Sequence, residues 1–83
     1  MRAGVYQGAG RPLTIERVAD PHPKADEVVI QVARAGICGS DLHMAEHGFA
    51  PAGTIFGHEF AGTIVECGAG VRGWAVGDRV TAL

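Results

Sequence analysis

Eighty-three residues make at most one small domain, and a chain of that size hides only about 60 to 65% of its unfolded surface, so a thin core and marginal stability are expected. Apolar residues are 47% of the chain and charged ones 19%, which excludes a disordered tail. The formal net charge is -2, and the arginines and lysines are scattered from Arg2 to Arg79 with no basic stripe, so nucleic acid is excluded as a partner.

After Met1 and Arg2 the chain breaks on glycine and proline before any apolar run long enough for a signal peptide or a membrane span, which predicts a soluble, cytoplasmic protein with no membrane partner. In a reducing cytosol Cys38 and Cys67 are expected as thiols. Cys67 ends an apolar run and reads as a small core residue.

No internal repeat appears, and short apolar segments of strand length are separated by glycine, proline and aspartate, so the chain reads as β-rich. Residues 3–6 and 13–18 flank a turn built from residues 8–12 and predict an opening hairpin. The stretch 20–25 (DPHPKA) carries two prolines that lack a ladder donor and is expected as a surface connection, with His22 solvated. Residues 27–34 (EVVIQVAR) form the strongest strand. Both of its faces are partly apolar, which predicts a central position in its sheet. Residues 41–47 are expected to form one or two helical turns starting at Ser40. A loop over 49–53 then leads to a strand over 59–67, and a last strand over 79–83 follows.

Residues 68–73 (GAGVRG) spell GxGxxG directly after a predicted strand, as in a dinucleotide-binding loop. That fingerprint needs a helix to open at its end so that the helix amino terminus meets a pyrophosphate. Here Trp74, Ala75 and Val76 lead instead into a Gly77-Asp78 turn, so the stretch reads as a glycine-rich strand connection.

The chemistry is concentrated in GICGSDLH and GHEF. Thiolate, imidazole and carboxylate are all zinc ligands, and Cys38 and His58 stand 20 positions apart on different loop or strand ends. Paired short spacings mark structural zinc sites; ligands gathered singly suit a catalytic site with an open position. Each residue alone also fits a structural role: Cys38 as a core thiol, His58 as a loop histidine, Glu59 as a solvated strand start, Asp41 as a helix cap. Their joint pattern carries the metal reading.

Through GICGSDLH, GHEFAGTIVECGAGV and the closing GDRV, the sequence resembles the zinc-dependent medium-chain alcohol and polyol dehydrogenases. The resemblance implies a mainly β fold, a partial GroES-like β-barrel domain with one short helix, residues 1–83 being the amino-terminal part of the catalytic domain without the family's Rossmann domain. It implies Cys38 and His58 as ligands of a catalytic zinc, with Glu59 binding the metal directly or standing just behind it. A regular strand points neighbouring side chains to opposite faces, so His58 and Glu59 can share an ion only if the backbone turns, a freedom Gly57 could supply. Asp41 matches the carboxylate that holds the other ring N–H of His58. Ser40 matches the hydroxyl that bonds the substrate oxygen, and His43 the histidine that passes the proton to solvent.

The implied activity is hydride transfer between an alcohol or polyol, or the aldehyde or ketone, and NAD or NADP bound by a domain outside this chain. The intact enzyme would be a homo-oligomer and the chain alone inactive. A further zinc ligand and the cysteine-rich lobe of many relatives would come from later segments. Two rivals share the fold: a zinc-free quinone-reductase type and a non-catalytic GroES-like binding module. Neither gives a reason for Cys38 and His58 together. His47 has no counterpart and reads as a solvated residue near a helix end.

Overall fold

The computed structural model describes residues 1–82. They are mainly β, with five strands and one helix among the described residues: β1 (Arg2–Val5), β2 (Thr14–Arg17), β3 (Val28–Ala35), α1 (Gly39–His47), β4 (Phe60–Cys67) and β5 (Arg79–Thr81). The chain forms two compact units, one of residues 1–20 with 37–58, the other of residues 21–36 with 59 onward.

In the first unit β1 and β2 pair antiparallel with Arg2 opposite Arg17 and Val5 opposite Thr14. The expected hairpin is present, with β1 displaced by one residue towards the amino terminus and β2 one residue shorter at each end than the apolar pattern suggests. The turn closes through the Arg11 N–H on the Gly8 carbonyl at 3.1 Å. On the hairpin surface Gln7 Nε2 donates to Thr14 Oγ1 at 2.6 Å and to Glu16 Oε2 at 2.8 Å.

The core of this unit is Tyr6 and Val5, at 0% and 7% exposure. The Tyr6 N–H donates to Thr54 and its carbonyl accepts from Gly53, at 2.9 and 2.8 Å, which draws the 51–54 turn alongside the hairpin. The Tyr6 ring lies 4.9 Å from that of Phe56, and its hydroxyl donates to the Ala45 carbonyl at 3.4 Å. The Gly10 N–H meets the same carbonyl at 3.1 Å. One aromatic residue therefore anchors hairpin, helix and loop, which is how a short chain positions a helix with few buried side chains.

In the second unit β3, β4 and β5 form one antiparallel sheet in that order. The expectation of a central β3 is corrected. Among the described residues the strand pairs on one side only and β4 occupies the middle; two apolar faces report what covers a strand above and below, not how many strands flank it. Val32 of β3 remains 48% exposed. Register shifts at Val29/Ile30 and at Val32/Arg34 leave Val65 of β4 and Ala33 of β3 as the extra residues, and such bulges sharpen local twist. Ile64 is buried to 1% and closes its ladder through the Asp78 carbonyl and the Gly77 N–H, both at 2.8 Å.

Residues 20–25 contain no strand, as their prolines require. The expected last strand ends at Thr81, and the end of that expectation, Leu83, lies outside the described residues.

The GAGVRG stretch is a turn rather than the start of a helix. The Gly68 N–H donates to the Glu27 carbonyl at 2.8 Å and the Gly70 N–H to the Ala25 carbonyl at 2.7 Å. Both amides thus serve the connection between residues 24–27 and β4. Their glycines are needed because backbone approaches backbone there: a Cβ on Gly68 would overlap the Lys24 carbonyl oxygen.

Candidate functional site

Helix α1 begins one residue earlier than the sequence suggests. Cys38, in extended geometry at φ -82° and ψ 150°, precedes Gly39 as the capping residue. Asp41 is therefore not the cap itself but the third helical residue, and its Oδ2 accepts the Cys38 N–H at 3.1 Å. This satisfies an amide that the helix start would otherwise leave without a partner and places a carboxylate where the helix dipole favours it.

The other carboxylate oxygen does different work. Asp41 Oδ1 lies 3.2 Å from His58 Nδ1, and Asp41 as a whole is only 8% exposed. The separation is that of a hydrogen bond, yet the geometry is not that of an aligned one, because Oδ1 has no partner by angular criteria. A small rotation of the half-exposed imidazole (46%) aligns the bond. A buried carboxylate oxygen facing Nδ1 fixes the ring's orientation and directs its lone pair to Nε2.

On the Nε2 side stands Ser40, whose Oγ is 3.4 Å from His58 Nε2 and donates to Cys38 Sγ at 3.3 Å. The ligand atoms of Cys38 and His58 lie within 4.8 Å of each other. On a tetrahedral zinc ion a thiolate and an imidazole nitrogen are about 3.6 Å apart, from bonds of about 2.3 and 2.05 Å. The donors present fit that ion: one soft sulfur, one borderline nitrogen, and behind the nitrogen a buried carboxylate oxygen that calls for a proton donor.

Gly57 precedes His58 at φ 134°, a conformation open to glycine and closed to most side chains. Glu59 follows His58 directly in the chain and opens the second part of the other unit. Within the second unit its carbonyl accepts the Gly36 N–H at 2.7 Å.

His43 lies one turn beyond Ser40 on α1, away from the Cys38 and His58 ligand group. Its ring is 4.5 Å from that of His47 and 5.4 Å from that of Phe49. His47 is, as expected, an exposed residue at the end of α1, and its ring also belongs to a three-ring cluster with His43 and Phe49. Its four-residue spacing from His43 was the available signal, since positions i and i+4 share a helix face.

The alcohol dehydrogenase GroES-like domain family matches residues 24–83. The chain is 41% identical over 78 residues to alcohol dehydrogenase 2 of Caenorhabditis elegans, an alignment covering 90% of this chain and 22% of the relative. It is 42% identical over 86 aligned positions to an acryloyl-coenzyme A reductase of Sulfurisphaera tokodaii, covering 100% of this chain and 25% of the relative. The chain thus spans about a quarter of the length of these relatives. Among solved structures it superposes on a zinc-binding dehydrogenase of Sinorhizobium meliloti bound to NADP, with a TM-score of 0.83 and 34% identity, covering 94% of this chain and 23% of that one. A family match over most of the chain, joined to the same fold, places it in the alcohol dehydrogenase GroES-like domain family of the zinc-type medium-chain dehydrogenases.

Proposed function

We propose that residues 1–83 are the amino-terminal part of the catalytic domain of an oxidoreductase that moves a hydride between an alcohol or polyol and NAD or NADP. The single observation that supports this most is the His58 imidazole, held by the buried Asp41 carboxylate at 3.2 Å and presenting its other nitrogen beside Cys38 and Ser40. A solvated loop histidine needs no fixed partner; this one has a carboxylate behind it and a thiol group in front, the pattern of a metal ligand.

In this reading Cys38 and His58 hold a catalytic zinc, with Glu59 ligating or standing directly behind it. When bound, zinc supplies Lewis acidity at the substrate oxygen, favouring the alkoxide from which hydride departs. The chain's own residues handle the proton. Ser40 Oγ, already between the thiol and the imidazole, accepts the substrate hydroxyl as a hydrogen bond and passes its own proton on. His43, three residues later on the same helix face, takes that proton towards solvent. The nicotinamide cofactor is held outside this chain. Similarity to an alcohol dehydrogenase and a sorbitol dehydrogenase favours an alcohol or polyol as the substrate.

The test is metal analysis of the intact protein with alcohol-dependent reduction of NAD and NADP. One zinc per chain that is lost with His58→Ala, together with activity, is the expected result. An intact protein that turns over alcohols with no zinc would put the zinc-free branch in its place.

Asp41→Asn separates two roles of the same carboxylate. Asparagine is nearly isosteric and its carbonyl oxygen can still accept the Cys38 N–H, but it carries no charge for the His58 ring. Zinc affinity or turnover is expected to fall about 10- to 100-fold. Unchanged values, read by competition with a chelator and by kcat, would mean that Asp41 serves only the helix start.

A further inference from the structure

We propose that His43 and His47 form a second metal site, separate from the Cys38 and His58 group, that binds a borderline divalent cation such as Ni2+, Cu2+ or excess Zn2+ through two imidazoles on one face of α1.

The two histidines are four residues apart on a nine-residue helix, and that spacing stacks side chains one above the other. Their ring centroids lie 4.5 Å apart with an interplanar angle of 55°. Two imidazole nitrogens on one tetrahedral ion stand about 3.3 Å apart, from bonds of about 2.05 Å. Rings already at 4.5 Å and tilted reach that arrangement by side-chain rotation alone, with the helix unchanged. Both residues are exposed, so an ion can enter from solvent and complete its shell with water.

Phe49 makes the pair more than a chance spacing. Its ring stacks on His47 at 5.9 Å and 29° and lies 5.4 Å from His43, so each histidine is flanked by the other and by one phenyl ring. Imidazoles restricted before an ion arrives lose less rotamer freedom on chelation. The Glu46 carboxylate, 3.9 Å from His47 Nε2, adds negative charge beside the pair without occupying that nitrogen by a hydrogen bond. Neutral imidazole prefers Zn2+, Ni2+ and Cu2+ over Mg2+ or Ca2+, which sets the cation class. Occupation would also take a nitrogen of His43 that the proposed proton path uses, so bound metal should slow turnover. The binding itself does not depend on that path.

The experiment is calorimetric titration of the intact, zinc-loaded protein with Ni2+, comparing wild type with His47→Ala, His47→Gln and His22→Ala. The wild type is expected to take up one further Ni2+ per chain. Both His47 variants should lose that uptake while keeping their original zinc, and His22→Ala, which changes a histidine on another segment, should bind as wild type does. Two replacements at one position guard against a helix end disturbed by either. Uptake that persists in both His47 variants, or a wild type that binds no further ion, would overturn the proposal.

Discussion

If Cys38 holds the proposed catalytic zinc, Cys38→Ser in the intact protein is expected to lose the metal on dialysis and to drop in turnover by more than about 100-fold, an effect at least as large as those seen when only a supporting group is removed. The replacement isolates the metal from the fold. Serine is nearly the size of cysteine, and at the residue preceding α1 it is a better helix cap, adding up to about 1 kcal/mol to helix stability. Its hydroxyl does not ionise near neutral pH and is a poor zinc ligand, whereas the thiolate binds strongly. A structural thiol at this position predicts a folded and equally active variant. Zinc content by atomic emission, helix content by circular dichroism and the rate of cofactor reduction, measured together, decide between the two.

The candidate metal ligands were legible because ligand chemistry depends on residue type, and residue type is what a sequence records. Cys38 and His58 were singled out by that means, and the fold brings their ligand atoms within 4.8 Å. Asp41 was legible only by half. The sequence offered a cap or a partner for His58 as alternatives, and the structure gives one carboxylate oxygen to each. That outcome depends on α1 starting at Gly39, a boundary that propensity cannot fix to one residue.

The place of β3 was misread for a different reason. Its apolar residues on both faces are real, but strand order is set by pairing between segments some thirty residues apart, about which local patterning is silent. His47 was passed over because it matched no expected role, although its spacing from His43 already placed both on one helix face. The anchoring role of Tyr6 also went unseen, since a single tyrosine at a strand end carries no periodic signal.

Gly68→Ala is expected to destabilise the fold by about 3 kcal/mol or more, and the reason lies in backbone rather than side-chain contacts. A methyl group at this position would overlap the Lys24 carbonyl oxygen and stand 2.6 Å from that of Ala25. No rotamer change can relieve that, so the 24–27 segment must move away from β4. Its movement strains the hydrogen bonds from Gly68 to Glu27 and from Gly70 to Ala25, each contributing about 1 kcal/mol, on top of an overpacking cost of about 1 to 3 kcal/mol. Against a total stability of about 5 to 15 kcal/mol for an ordinary domain, and a buried apolar core that among the described residues is Val5, Tyr6 and Ile64, that is a large share. Two companion variants grade the effect. At Gly70 an added Cβ would come to 3.1 Å from the Ala25 oxygen, so Gly70→Ala should cost less. At Gly39 a Cβ meets nothing within 4 Å and the residue is helical, so Gly39→Ala should be neutral or stabilise by up to about 1 kcal/mol. Denaturant midpoints of the three variants, measured beside the KM for the nicotinamide cofactor in the intact enzyme, also test the GxGxxG string. A glycine that made room for a pyrophosphate would, on substitution, raise that KM and leave stability alone. The packing role predicts the reverse, and a Gly68→Ala midpoint equal to that of the wild type would refute it.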